Sequence, residues 1–506
     1  MARNLLFRTL GFTIFASIGL QVLGSPRINA ETSNAKEAIE HGKKVWFENT
    51  YGGEKFFHFL ANHPDASKRI TVGFENVVNT PRNQRFERWG AINDPDCHVN
   101  PSGGPDLCTD PSASGIVGIR KALSSTGKPI YGISCASCHA GFDPLNPPSN
   151  LNEPTWSNIH PTIGNQYLES GKVFAANLPA TDPRKIMFSS WPKGTADTTA
   201  IFNDHIMNPG VVTAFWNITD RPTFDVGLSE KKIRAGQGGE DDLGGDIAAL
   251  RVYTNIGVCF SECVASNINQ PINIRQCKKT CPDFPPQKDL DDLVTFLQSI
   301  RAPKLPTTYF SDTFRFQRGK KIFESNCASC HSKDSSQKHV LSNDEVNPLN
   351  LDPAQATNKC RALSTNWEEG HIWAEFSSSN YKKRVPEGLK GYRTMPLSGI
   401  WATTPFLHNQ SVGEWAAPNA SPSERAKSFE RSMYELLNAN RAPKISVSPV
   451  AIGPFPAGTP LHEIFSRDAT TGKLLCDDII ENRGHTYGSD LSDRDKKALI
   501  YWLKSQ

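Results

Sequence analysis

The chain has 506 residues, 38% of them hydrophobic and 21% charged, and its 55 basic and 52 acidic side chains leave a formal net charge of +3. That length allows two to four domains, or two with large insertions, each with a sizeable core. The near balance of charge implies no polyanion partner such as nucleic acid, and neither a Gly-rich phosphate loop nor a hydrolase triad motif is evident.

At the start, Arg3 and Arg8 accompany an apolar run from Leu10 to Leu23, and Ile28-Asn29-Ala30 follows with a small residue for cleavage. This is the charged, apolar, cleavable order of a secretory signal and assigns residues 1–30 to it. The run is too short for a membrane span, and no later run approaches the ~20 apolar residues a span needs. The mature protein is therefore expected to be periplasmic or secreted, and not an integral membrane protein.

Ala38, Val45, Trp46, Phe56, Phe57 and Leu60 recur at roughly helical spacing, predicting a helical stretch from Ala35 to Leu60 that breaks at Gly52-Gly53. From Asn79 to Ser114 the chain is rich in Pro, Asn, Asp and Gly and is expected to be irregular. Gly141 to Arg184 reads as loop with short helices, and a helix is predicted at Leu290–Leu297. Phe316, Gly319, Ile322 and Phe323 share one face of a helix predicted over Phe314–Asn326. Near the end, Ser492-Asp493-Arg494-Asp495 has the form of a helix start, followed by the apolar stripe of Ala498, Leu499, Trp502 and Leu503.

Two identical pentapeptides organise this pattern: Cys135-Ala136-Ser137-Cys138-His139 and Cys327-Ala328-Ser329-Cys330-His331. Cys-x-x-Cys-His is the spacing of c-type haem attachment, in which two thiols bond the haem vinyls and the adjacent imidazole ligates the iron. A redox or disulfide Cys-x-x-Cys with an incidental His is the bland alternative, and the repetition argues against it. Two covalently bound c-type haems are expected, on His139 and His331. The plan of helix, motif, loops and closing helix occurs twice, which predicts a mainly α protein. Its two cytochrome c-type haem domains, residues 31–303 and 304–506, would arise by internal duplication and carry long loop-rich insertions.

Twelve cysteines less four haem thiols leave eight. Cys259, Cys263, Cys277 and Cys281 stand in pairs one helical turn apart, compatible with Cys259 to Cys281 and Cys263 to Cys277 disulfides or with a zinc site; zinc's preference for tighter spacing favours disulfides. Cys97 with Cys108 would close a loop, leaving Cys360 for Cys476. The second iron has His408, His485, Met395 and Met433 as candidate sixth ligands. His408 lies in the apolar loop Gly399–Asn409, and His485 just before the terminal helix.

Together these residues resemble the bacterial di-haem cytochrome c peroxidase superfamily, which includes the methylamine-utilisation di-haem enzyme and the haem-dependent rubber oxygenases. Thr404-Pro405-Phe406-Leu407-His408-Asn409 is similar to its Pro-x-x-His-Asp/Asn segment, and the haem motifs lie in the family's order. Great length and the segment Asn208-Pro209-Gly210 to Ala214-Phe215-Trp216 look closer to the rubber-oxygenase branch. The resemblance implies a reactive iron on His139 and an electron-storing iron on His331. Since Ser411–Phe429 holds neither the Met nor the His that short peroxidases place there, His485 is the implied sixth ligand and His408 a neighbour of the same haem. Trp216 is implied on the electron path between haems, with Phe215 and Phe224 lining the reactive pocket; a plain core Trp is the alternative.

No distal acid or base can be picked among His160, His205, Glu153 and Glu169. The acidic run Glu240-Asp241-Asp242 could hold Ca2+, although a solvated loop is the default, and Lys382-Lys383-Arg384 could dock an acidic partner or simply be solvated. The implied activity is H2O2 reduction with electrons from a small redox protein or other donor. The alternatives are an oxygenase using O2 on an apolar organic substrate and a plain electron carrier.

Overall fold

The structure, a computed structural model, describes residues 27–63, 66, 69–196, 206–207, 209–217, 287–331, 340–342, 357–360, 391–393, 397–468 and 471–506. The cysteines at 259, 263, 277 and 281, and with them Phe224, His205, Met395, the acidic run at 240–242 and the basic run at 382–384, lie outside the described residues. So do residues 1–26 of the expected signal. Helix α1 spans Arg27–Glu48, so cleavage after Ala30 would remove its first turn.

Helices dominate the regular structure of the described residues, beside short two-stranded antiparallel pairs. The break expected at Gly52-Gly53 is present: Tyr51 and Gly52 are left-handed (φ 49° and 82°), and helix α2 restarts at Gly53 and runs to Ala61. Helices α3 (Phe74–Asn79) and α4 (Arg82–Trp89) follow. Helix α4 corrects the expectation of irregular chain between Asn79 and Ser114. Its inward face carries Arg82 and Arg85, both buried, beside Phe86 and Trp89. Arg82 and Arg85 each donate to the buried Asp106 carboxylate at 2.7 Å. Asp106 arrives on a hairpin of β1 (Cys97–His98) and β2 (Leu107–Cys108), closed by the Cys97–Cys108 disulfide. The polar residues of this stretch thus hold a buried ion cluster, in which Arg82 and Arg85 share the Asp106 carboxylate and Arg82 also meets Glu153.

Strands β3 (Ile119–Leu123) and β4 (Pro129–Ile133) form a hairpin that leads into the first Cys-x-x-Cys-His motif, whose last four residues form α5 (Ala136–His139). Strand β5 (Gly141–Phe142) pairs with β6 (Ile159–His160), and short helices α6 (Ser170–Ala175) and α7 (Pro183–Ser189) occupy the stretch expected to hold such pieces. Strand β7 (Thr195–Ala196) pairs with β8 (Gly210–Val211).

Helix α8 (Gln287–Ser299) closes this unit by packing on α1. The crossing is tight: a Cβ on Gly42 would lie 2.0 Å from the Asp292 carbonyl oxygen and 2.8 Å from Phe296 Cβ. Helix α9 (Thr313–Asn326) leads into the second motif, where α10 covers Ala328–His331. Strands β9 (Val340–Ser342) and β10 (Gly391–Arg393) pair. Helix α11 (Pro422–Leu436) starts with a capping box between Ser421 and Glu424, and α12 covers Leu461–Phe465. Helix α13 (Asp493–Leu503) begins where expected, the Ser492 side chain accepting the Asp495 amide. It packs on α9, and a Cβ on Gly319 would lie 2.0 Å from the Ala498 carbonyl oxygen and 2.8 Å from Trp502 Cβ. Each motif is therefore accompanied by a helix pair whose crossing admits only glycine on one side.

The core falls into three larger clusters. One, around α2, α3, α6 and α7, also takes in Leu461 and Ile464 of α12. A second surrounds the His139 motif, with Trp46, Phe215 and Phe296. The third surrounds the second motif, with Trp216, Phe323, Trp401, Phe429 and Trp502. Cys360 and Cys476 form a disulfide, so both expected pairings within the described residues are present.

Candidate functional site

The local sequence explains how each motif is presented. Cys135 stands at the start of α5 and Cys138 within it, and this turn packs closely on Gly118. Its φ is 76°, and a Cβ would sit 2.1 Å from the Ser137 amide nitrogen. Cys135, Cys138 and Cys327 are in no disulfide, which sets the motifs apart from the structural cysteines.

The His139 ring is tied down from its far side. Its Nδ1 lies 2.9 Å from the Thr213 carbonyl, to which it can only donate, so Nε2 is left as the acceptor nitrogen that a metal requires. Burial pushes this imidazole down to about 4 in spite of that bond, and burial pushes the Cys138 thiol up to about 11. Phe215 packs on the His139 ring with centroids 4.6 Å apart, and Trp46 stands 5.7 Å away. The structure thus places Phe215 against the His139 imidazole itself. Trp46 is anchored by donation from its indole to the Pro161 carbonyl at 2.8 Å.

The second motif has a partner ring. His331 and His485 have ring centroids 6.2 Å apart and planes inclined by 56°. A metal–imidazole bond is about 2 Å, and a ring nitrogen lies roughly 1.1 Å from its own centroid, so two imidazoles sharing one iron have centroids about 6 Å apart. The pair fits a bis-imidazole iron. Burial pulls the His485 imidazole below its ordinary value, which keeps it neutral and able to ligate.

The other residues singled out in the sequence fall elsewhere. Met433 is buried in the apolar core under α11. The His408 carbonyl accepts the Val211 amide at 2.6 Å, two residues before Thr213, so this loop touches the segment that orients His139. Its neighbour Gln410 donates to the Gly194 carbonyl at 2.9 Å. Glu153 bonds Arg82 at 3.2 Å, and Glu169 forms an ion pair with Lys172 at 2.9 Å.

Trp216 is buried in the third core cluster. Its indole donates to the Ser398 carbonyl at 2.7 Å, its ring fills the place beside Gly399, and on its other side it meets His160 edge-on at 5.3 Å. His160 is fixed by the Thr162 amide at its Nδ1 and by donation to the Arg301 carbonyl. Burial lowers its pKa against the pull of Asp143. Adjacent Phe215 and Trp216 belong to different core clusters, so one peptide joins the surroundings of the two motifs.

Thr213 and Arg441 make contacts that pattern reading did not reach, Thr213 with the His139 ring and Arg441 with distant main chain. Thr213 acts through a carbonyl, which any residue could supply. Arg441 stands in a loop before a proline and meets carbonyls more than 40 positions away, Asn482 among them.

Among the described residues no helix is long and apolar enough to cross a membrane. A cytochrome c family model matches residues 316–408, and a model described as RoxA-like, cytochrome c-like, matches residues 391–430. The chain is also 27% identical over 180 residues to the uncharacterized protein y4iJ of Sinorhizobium fredii, covering 26% of this chain and 30% of that protein. It thus spans under a third of that relative's length. The family matches, together with the geometry of the second motif, support a c-type cytochrome with covalently bound haem and a redox role.

Proposed function

We propose that the protein is an exported di-haem oxidoreductase of peroxidase type, in which H2O2 is reduced at the iron of His139 while electrons from a small redox protein or other donor are stored and relayed at the iron of His331. The observation that carries this reading is the His331–His485 pair, whose 6.2 Å ring separation suits an iron ligated on both sides and so confined to electron transfer. Haem supplies the one-electron redox chemistry. The chain supplies the rest: Thr213 holds His139 in one tautomer, Phe215 and Trp46 pack its ring, and Trp216 with His160 spans the space between the units. Reducing H2O2 to two waters takes two electrons and two protons, and a relay site beside a reactive site suits that stoichiometry.

The matched glycine crossings of α1 with α8 and α9 with α13 support duplication into units 31–303 and 304–506. The disulfides support an oxidising compartment, periplasmic or extracellular.

A second reading, an oxygenase using O2 on an apolar organic substrate, is favoured by the RoxA-like match over residues 391–430. The two separate on turnover. Anaerobic H2O2 consumption coupled to oxidation of a reduced small cytochrome c is expected. Its absence, with O2 uptake in the presence of polyisoprene, would establish the second reading. Two low-spin irons before and after one-electron reduction, with neither activity, would leave a carrier. Replacing His485 by Ala is expected to convert one low-spin ferric EPR signal to high-spin, and an unchanged spectrum would remove His485 from the iron.

A further inference from the structure

Arg441 follows α11 by five residues, and its guanidinium is spent on main-chain carbonyls. One terminal nitrogen donates to the Leu436 carbonyl at 2.7 Å, to that of Asn438 at 3.2 Å and, at 3.4 Å, to that of Glu435, all at the end of α11. The other donates to the Asn482 carbonyl at 3.2 Å and to that of Gly484, while Nε reaches Asn482 at 3.3 Å. Glu435, whose charge acts on Arg441, is hydrogen-bonded elsewhere: its carboxylate accepts the Gly413 amide at 3.2 Å and lies 3.6 Å from Lys444.

The Gly484 carbonyl belongs to the peptide unit that enters His485. That unit joins two left-handed residues, Gly484 at φ 90° and His485 at φ 53°. An L side chain rarely takes such a conformation, and it persists where the surroundings impose it. Asn482 completes the hold. It is buried, accepts the Lys444 amide at 2.9 Å and donates to the Ala442 carbonyl at 2.8 Å. The loop bearing His485 is thereby zipped to the turn bearing Arg441, and through it to the end of α11.

We propose that Arg441 is the positioning residue for the axial ligand of the second iron: by gripping the Gly484–His485 peptide it aims the His485 imidazole at His331 and keeps that iron six-coordinate. The inference rests on the assignment of His485 as ligand. It adds that the rigidity of this ligation, and so the closure of the second iron to small molecules, is set by a residue 44 positions earlier.

The test uses the full-length holoprotein with Arg441→Leu, Arg441→Gln and His485→Ala, read by low-temperature EPR of the ferric form and by the rate of cyanide binding. Arg441→Leu should add a high-spin component and speed cyanide binding at the second iron by roughly tenfold, in the range typical of residues that orient metal ligands. Added imidazole should restore the low-spin signal. Arg441→Gln, which keeps donors and most of the volume, should lie between and serves if the Leu variant does not fold. Arg441 variants with wild-type spectra and cyanide kinetics, beside a high-spin His485→Ala, would overturn the role of Arg441 alone. A His485→Ala protein that stays low-spin would remove the ligand assignment, and the inference with it.

Discussion

Burial on the first core cluster holds the His462 imidazole, 5% exposed, down to about 4 against an ordinary 6.5. Below the ordinary value the unfolded chain takes up a proton that the folded chain refuses until its own pKa is reached. Stability is therefore lost as pH falls from about 6.5 toward 4, by about 3 kcal/mol across the window. His462→Leu should flatten this dependence. Urea unfolding at pH 7 and pH 4.5 measures it, and a variant as acid-sensitive as the wild type would place the sensitivity elsewhere. At this scale the sequence was legible in the cysteines outside the two motifs, whose even number anticipated the Cys97–Cys108 and Cys360–Cys476 disulfides. Roles that use main-chain atoms, as at Thr213, leave no trace in residue type. Arg441 leaves little more, because its partners are carbonyls brought near only by the fold.

Among the elements, those legible beforehand were helices with apolar stripes, α8, α9 and α13, where local periodicity and burial agree. Helix α4 escaped because its inward face is built on arginines that meet Asp106. The glycine crossings carry the element-scale prediction. In an isolated helix Gly→Ala is favourable by about 1 kcal/mol. At Gly319 the new methyl would meet the Ala498 carbonyl, so Gly319→Ala should instead destabilise by about 1–3 kcal/mol, the usual cost of overpacking. Thermal unfolding should register a loss of several degrees, and a neutral result would mean that α9 and α13 can separate without cost.

On the scale of the whole molecule, Trp216 is one of several contacts between the two halves, beside Val211–His408 and Gln410–Gly194. Trp216→Phe would remove the indole donor from the Ser398 carbonyl, which should destabilise by about 1 kcal/mol. On the proposed function it should also slow electron equilibration between haems without changing the spectrum of either. Flash reduction of the holoprotein measures that rate, and an unaltered rate at reduced stability would return Trp216 to a packing role. The order of motifs in the sequence anticipated a two-part chain but not how the parts interpenetrate, since such contacts have no local periodicity.

That interpenetration bears on how the protein can be divided. The His408 loop supports the segment that presents Thr213 to His139, and Leu461 and Ile464 fill the core around α2, α3, α6 and α7. A gene cut between Pro303 and Tyr309 would encode a front fragment lacking the support of its own histidine, and a back fragment with an orphaned helix and loop. The two products should regain a complete structure only as a complementing pair. If the chain did arise by doubling of a smaller cytochrome, it has since lost the independence of its halves.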